Sequence, residues 1–142
     1  MKISEILSLN NVFAEVKANN KRQLLQELSE KAAKEVGVDE RTVADSIWER
    51  ENLGATGYGN GTAFPHARIE GLPKVKAVFA RLTTPIDFNS VDGKPVDLIF
   101  LLVSPENSGA DHLTALAALS RILKNEDICE KLRGARSREE IY

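Results

Sequence analysis

His66 and His112 are the chain's whole supply of imidazole, so chemistry that runs through histidine must use one or both. His66 directly follows Pro65, whose ring fixes its own φ and biases Phe64 toward an extended conformation. In front of them Gly54, Gly57, Gly59 and Gly61 crowd into Gly-Ala-Thr-Gly-Tyr-Gly-Asn-Gly. Such a stretch cannot hold a helix and reads as a shaped loop. It would present an imidazole from a backbone fixed on one side and open to close approach on the other, and scaffold-held loops are where function concentrates. The alternative is a histidine packed at the start of a strand with its nitrogens hydrogen-bonded. His112 falls near the start of a helix after an apolar strand, where N–H groups and the helix dipole collect anions. It reads equally as a solvent-exposed helix-start residue.

Other chemistries fail on spacing. A phosphate-cradling P-loop needs a Lys after its glycines, and no Lys occurs between Lys34 and Lys74. Gly57-x-Gly59-x-Gly61 lacks the dinucleotide-binding step and follows a helix. The two histidines lie too far apart to carry a metal-ligand spacing, so no metal or other cofactor is expected. No Gly-x-Ser-x-Gly elbow exists.

The elements that must position these residues begin with helices. Ile3, Ile6 and Leu7 suggest an opening turn. Asn20 with Gln23 forms a capping-box pattern, Leu24, Leu25, Leu28, Ala32, Ala33 and Val36 recur on one helical face, and Gly37 suits the left-handed exit. A second helix runs from Asp39 to about Leu53, with Val43 and Ile47 inward and Glu49, Arg50 and Glu51 as a charged exit. Val75–Leu82 reads as a strand, Ile86–Phe88 as a short extended piece and Asp92-Gly93 as a turn. Val96–Val103 is apolar at nearly every place, the pattern of a strand buried on both faces. After Pro105, Ser108 with Asp111 resembles a capping box, opening a helix to about Lys124. A shorter one from Asn125 turns Ile128 and Leu132 inward and closes at Gly134; Ser137 and Glu140 announce another. The fold class expected is an α/β three-layer sandwich, a mixed β-sheet flanked by helices on both faces, in one domain over residues 1–142.

Bulk properties agree. The chain has 142 residues, 19 basic against 21 acidic side chains and a net charge of −2, with 42% apolar and 28% charged residues. That balance suits a soluble globular protein and argues against a nucleic-acid partner, which requires a surplus of Lys and Arg. One cysteine, Cys129, cannot form an internal disulfide. No apolar run approaches the roughly 20 residues of a membrane span and no secretory leader is visible, so a cytoplasmic domain without direct membrane insertion is expected.

Arg50-Glu51-Asn52-Leu53-Gly54-Ala55-Thr56-Gly57, then Gly59-Asn60-Gly61-Thr62-Ala63-Phe64-Pro65-His66, closely resembles the motif of type-2 enzyme IIA domains of the bacterial phosphotransferase system. The likeness continues through Thr84–Phe88, Pro95–Val103, His112-Leu113 and Ile128-Cys129. As a stand-alone domain the chain looks most like the nitrogen-regulatory branch. The resemblance implies a phosphoryl relay and the activity of a phosphotransferase component. It makes His66 the phosphoacceptor, His112 a second active-site histidine and Arg50 a phosphate-facing cation, and it implies an HPr-type carrier protein as donor. Thr56 and the backbone N–H groups of Gly57 and Gly59 would complete the phosphate cradle. Downstream stand regulated target proteins or, in the fructose/mannitol-type alternative, a IIB domain. A third reading is a docking module that regulates without being phosphorylated. Tyr58 and Phe64 are candidates for a partner-facing apolar patch, with core packing as the alternative for both.

Overall fold

A computed structural model describes residues 7, 11–53, 57–59, 61–69, 72, 75–88, 94–105 and 110–134, excluding the side chains of 35, 36, 53, 57–59, 110–113 and 123. β5 (Lys76–Ile86) and β6 (Val96–Pro105) form the antiparallel centre of a six-stranded sheet, with Phe79 opposite Phe100 and Val78 opposite Leu101. β1 (Val12–Val16) adds in parallel outside β5. On the other side of β6 lie β3 (Thr62–Ala63) and β4 (His66–Ile69), both parallel to it, and β2 (Gly57–Gly59) pairs antiparallel with β3. The sheet is therefore mixed.

Alternation along the central strands divides the interior in two. Val78, Ala80, Leu82, Ile99, Leu101 and Val103 pack toward α1 (Lys21–Val36) and α2 (Glu40–Leu53). Ala77, Phe79, Leu98, Phe100 and Leu102 pack with Ala115, Leu119 and Cys129 of α3 (Ala110–Lys124) and α4 (Glu126–Gly134). The unbroken apolar run of β6 is thus explained: each of its faces is covered by helices. The three-layer expectation holds.

Local signals act as their chemistry requires. Asn20 Oδ1 accepts from the Gln23 amide at 2.8 Å, and Gly37 leaves α1 at φ 73°. The return arm of the capping box shifts by one residue, because Gln23 Oε1 accepts from the Asn19 amide at 2.9 Å. Asp39 Oδ2 accepts from the Thr42 amide and hydroxyl, capping α2. Asn125 Oδ1 accepts from the amides of Asp127 and Ile128, starting α4.

Three sequence expectations need correction. Val12–Val16 is an edge strand within a region read as purely helical. Lys76–Ile86 is one strand rather than two pieces, its register shifting between Arg81 and Ile86. The glycine loop contains a short strand, β2, paired with β3 just after it, with Gly61 at φ 76° between them. In α4, Cys129 is the most inward residue and Ile128 and Leu132 are only partly buried. The opening turn at Ile3 and Ile6, the Asp92-Gly93 turn, the Ser108 cap and the Ser137–Glu140 segment lie outside the described residues, as does the side chain of Val36.

Candidate functional site

His66 opens β4. Thr62 pairs with Leu98 and His66 with Leu102, so the register on β6 is the same on both sides of Phe64-Pro65. Pro65 lacks an N–H, yet its carbonyl accepts from the Leu102 amide at 2.9 Å, tying the step to the central strand. The histidine therefore stands at a strand start, as one of the two sequence readings held. It is also only half-buried, as the other required. Alternation puts Ala67 and Ile69 against α1 and α2, which leaves His66 on the face covered by α3 and α4.

The imidazole is held on one side. Its Nδ1 lies 2.9 Å from the carbonyl oxygen of Phe64, and the Phe64 ring stacks on it at 5.7 Å and 12°. A carbonyl only accepts, so Nδ1 carries the hydrogen and the neutral ring presents its lone pair at Nε2. Burial lowers the His66 pKa below 6.5; the Phe64 hydrogen bond opposes that shift, Arg50 adds to it and Glu51 opposes it. At neutral pH the ring is therefore uncharged, with a nucleophilic Nε2.

Arg50, in the last turn of α2, is half-buried and within electrostatic reach of that ring. Glu51, beside it, reads in the sequence only as part of the charged helix exit and is 3% exposed. Its carboxylate meets Lys21 Nζ at 2.8 Å. The spacing carried a signal, because Val43, Ile47 and Glu51 fall on one helical stripe. The Phe64 carbonyl had no sequence signature, since every residue has one.

Other expected residues are placed less fully. The backbone of His112 lies in the first turn of α3, on the helix that follows β6, and its side chain lies outside the described residues. Gly57 and Gly59 contribute β2 backbone, paired with Ala63 and Thr62. Thr56 and the Tyr58 side chain lie outside the described residues. Phe64 packs partly into the core under α3 and α4, so its ring serves the interior as well as His66.

Below this region Gly61 marks a second arrangement. Its carbonyl accepts from the amides of Asp97 and Leu98, each at 3.0 Å. Arg133 grips Asp97 through both carboxylate oxygens at 2.9–3.2 Å. Gly61, Asp97 and Arg133, with Cys129 and Glu130, line a cavity of about 440 Å³ near the start of β6, whereas His66 pairs further along that strand. Arg81 reaches across to donate to the carbonyls of Ala14 and Leu132, clamping the end of α4 against β1 and β5. Burial raises the Cys129 thiol pKa, with Arg133 opposing, which keeps the thiol protonated at neutral pH.

The chain thus carries a half-buried, oriented histidine with an arginine in electrostatic reach, on a mixed sheet between helix pairs. Residues 5–142 match the family described as phosphoenolpyruvate-dependent sugar phosphotransferase system, EIIA 2. The chain belongs to this family. A nitrogen regulatory protein of Bradyrhizobium diazoefficiens is 47% identical over 142 residues, all of this chain and 93% of that protein. A fructose-specific EIIA component of the phosphotransferase system from Haloferax volcanii is 38% identical, over 98% of this chain and 91% of that one. The crystal structure of nitrogen regulatory protein IIA-Ntr from Neisseria meningitidis superposes with a TM-score of 0.93 at 35% identity, covering 98% of this chain and 95% of that one. No helix among the described residues is long and apolar enough to cross a membrane.

Proposed function

We propose that His66 accepts a phosphoryl group from the phosphohistidine of a small HPr-type carrier protein. The Nε2 lone pair attacks phosphorus in line while the P–N bond to the carrier's imidazole breaks, and that bond's electron pair returns to the carrier's nitrogen. The observation supporting this most strongly is the Nδ1–Phe64 carbonyl hydrogen bond, which fixes the tautomer before the donor arrives. Transfer through a loose transition state asks the protein chiefly for position and charge neutralisation. Arg50 supplies planar donors to the phosphoryl oxygens, His112 an N–H, and Thr56 with the backbone of Gly57 and Gly59 the rest of the cradle.

The strong similarity to nitrogen regulatory proteins favours a signalling use. The phosphorylation state of His66, in one cytoplasmic domain spanning residues 1–142, controls docking to target proteins. Adding about −1.5 to −2 charge to one end of the sheet is enough to change which surfaces attract it. The likeness to a fructose-specific component keeps a second reading, in which the group passes to a IIB domain for sugar uptake.

Incubation with phosphoenolpyruvate, enzyme I and the carrier tests the first step. One acid-labile phosphate per chain, absent from His66→Ala, is expected; none on the wild type would leave a docking module. Unimpaired growth of a deletion strain on fructose and mannitol is expected for the signalling use, and a growth defect would point to the sugar type.

A further inference from the structure

α1 and α2 pack antiparallel, so the first residue of one meets the last turn of the other. There the sequence places a charge of the disfavoured sign on each helix. Lys21, a cation, stands at the positive end of α1, and Glu51, an anion, stands near the negative end of α2. Glu51 also occupies the position on the Val43–Ile47 stripe where an apolar side chain would continue the core, and its side chain is 1% exposed. An apolar pair of similar volume would serve stability as well or better. Stability alone does not account for the pair, and its neighbour is the candidate site: α2 packs on β4, Arg50 precedes Glu51, and both lie within electrostatic reach of His66.

Lys21 is built to hold that carboxylate. Its ammonium lies 2.8 Å from Glu51 Oε1, donates to the Phe88 carbonyl at 3.4 Å and sits 4.7 Å above the Phe88 ring, which is itself fully buried. Three kinds of contact fix one cation in one place.

We propose that Lys21 and Glu51 are positioning residues for the chemistry at His66. Glu51 anchors the last turn of α2, and with it Arg50, through a buried contact to α1. Lys21 neutralises that carboxylate so that it does not oppose an anionic phosphoryl group. The proposal rests on His66 being the phosphoryl acceptor.

The test compares Lys21→Met, Glu51→Gln and the double variant, with imidazole titration of His66 followed by NMR on unphosphorylated protein. Lys21→Met removes a positive charge 2.8 Å from the carboxylate and moves the His66 midpoint up by about half a pH unit. Glu51→Gln moves it down, and the double variant returns to within about 0.2 of a pH unit of the wild type. Opposite signs with recovery are not what a purely structural defect produces. Phosphoryl transfer from the carrier falls about tenfold in Lys21→Met and recovers to within about threefold in the double variant. Should Lys21→Met fail to fold, the downward shift in Glu51→Gln and its reversal in the double variant carry the test. Midpoints that do not move, that move the same way in every variant, or a double variant as slow as Lys21→Met would overturn the proposal. Failure of the relay itself is read separately, as a wild type that accepts no phosphate.

Discussion

Two ion pairs brace this molecule at different depths. Lys21–Glu51 joins two helix ends with side chains 14% and 1% exposed, whereas Arg133–Asp97 joins α4 to β6 with side chains 34% and 21% exposed. In the inner pair Lys21 Nζ meets Glu51 Oε1 at 2.8 Å and lies over an aromatic face; the outer pair has a bidentate grip that water can reach. Depth reverses what each can do. Near the surface, attraction is screened and the pair serves as a latch. In the interior, either partner alone is a liability, so the pair's burial is weak evidence for a gain in stability.

The comparison breaks most visibly at Lys21. Replacing it with Met takes a cation away from the buried Glu51 carboxylate and costs about 3–5 kcal/mol in urea unfolding, with Glu51→Gln partly restoring the loss. A loss below about 1 kcal/mol would place Glu51 in contact with water and remove the contrast.

The Gly61 turn next to the outer pair comes second. At φ 76°, a Cβ built on Gly61 would lie against the Arg133 guanidinium and the Asp97 carboxylate. Gly61→Ala is expected to cost about 1–3 kcal/mol through the left-handed backbone and the displaced latch. Unchanged stability would show that the turn relaxes independently of Arg133.

A smaller effect follows from opening the latch alone. Asp97→Asn should lose about 0.2–1 kcal/mol at low salt, with the difference from wild type shrinking as salt rises. Salt-insensitive loss of several kcal/mol would make the outer pair as sealed as the inner one.

The gentlest probe is pH. Burial lowers the His66 pKa below 6.5, so the unfolded chain takes up that proton first. The stability associated with the neutral ring is complete above pH 6.5 and declines as pH falls through the folded-state pKa. The His66→Gln variant should lack this component, which parallel denaturation curves between pH 5 and 7 would reveal as a flatter profile. Identical profiles would mean that the ring is solvated as in the unfolded chain.

What sequence could reveal divides along the same line between local and distant causes. Asn20, Gly37 and Asn125 act on backbone within a few residues, and their caps follow from side-chain type alone. The two-faced burial of β6 was legible because its apolar run never alternates. β1 was not legible: Val12–Val16 becomes a strand by pairing with β5, far along the chain. The strand at Val75–Leu82 and the extended piece from Ile86 read as separate in the sequence, yet β5 runs continuously through Pro85 to Ile86. Near the candidate site, His66 stands out by type and setting, while the burial of Glu51 is hidden within a charged helix exit because Lys21, which meets it, lies on another helix. The hydrogen bond that leaves the lone pair of the neutral His66 ring on Nε2 comes from a main-chain carbonyl and could only be seen in the fold.

That nitrogen is where the account is most exposed. Phosphorus and nitrogen NMR of the protein after incubation with phosphoenolpyruvate, enzyme I and the carrier will locate the phosphoryl group on the ring. A single phosphohistidine at Nε2 of His66, with Nδ1 still protonated and bonded to Phe64, is the predicted result. Phosphate on Nδ1, on another residue, or on none would contradict it.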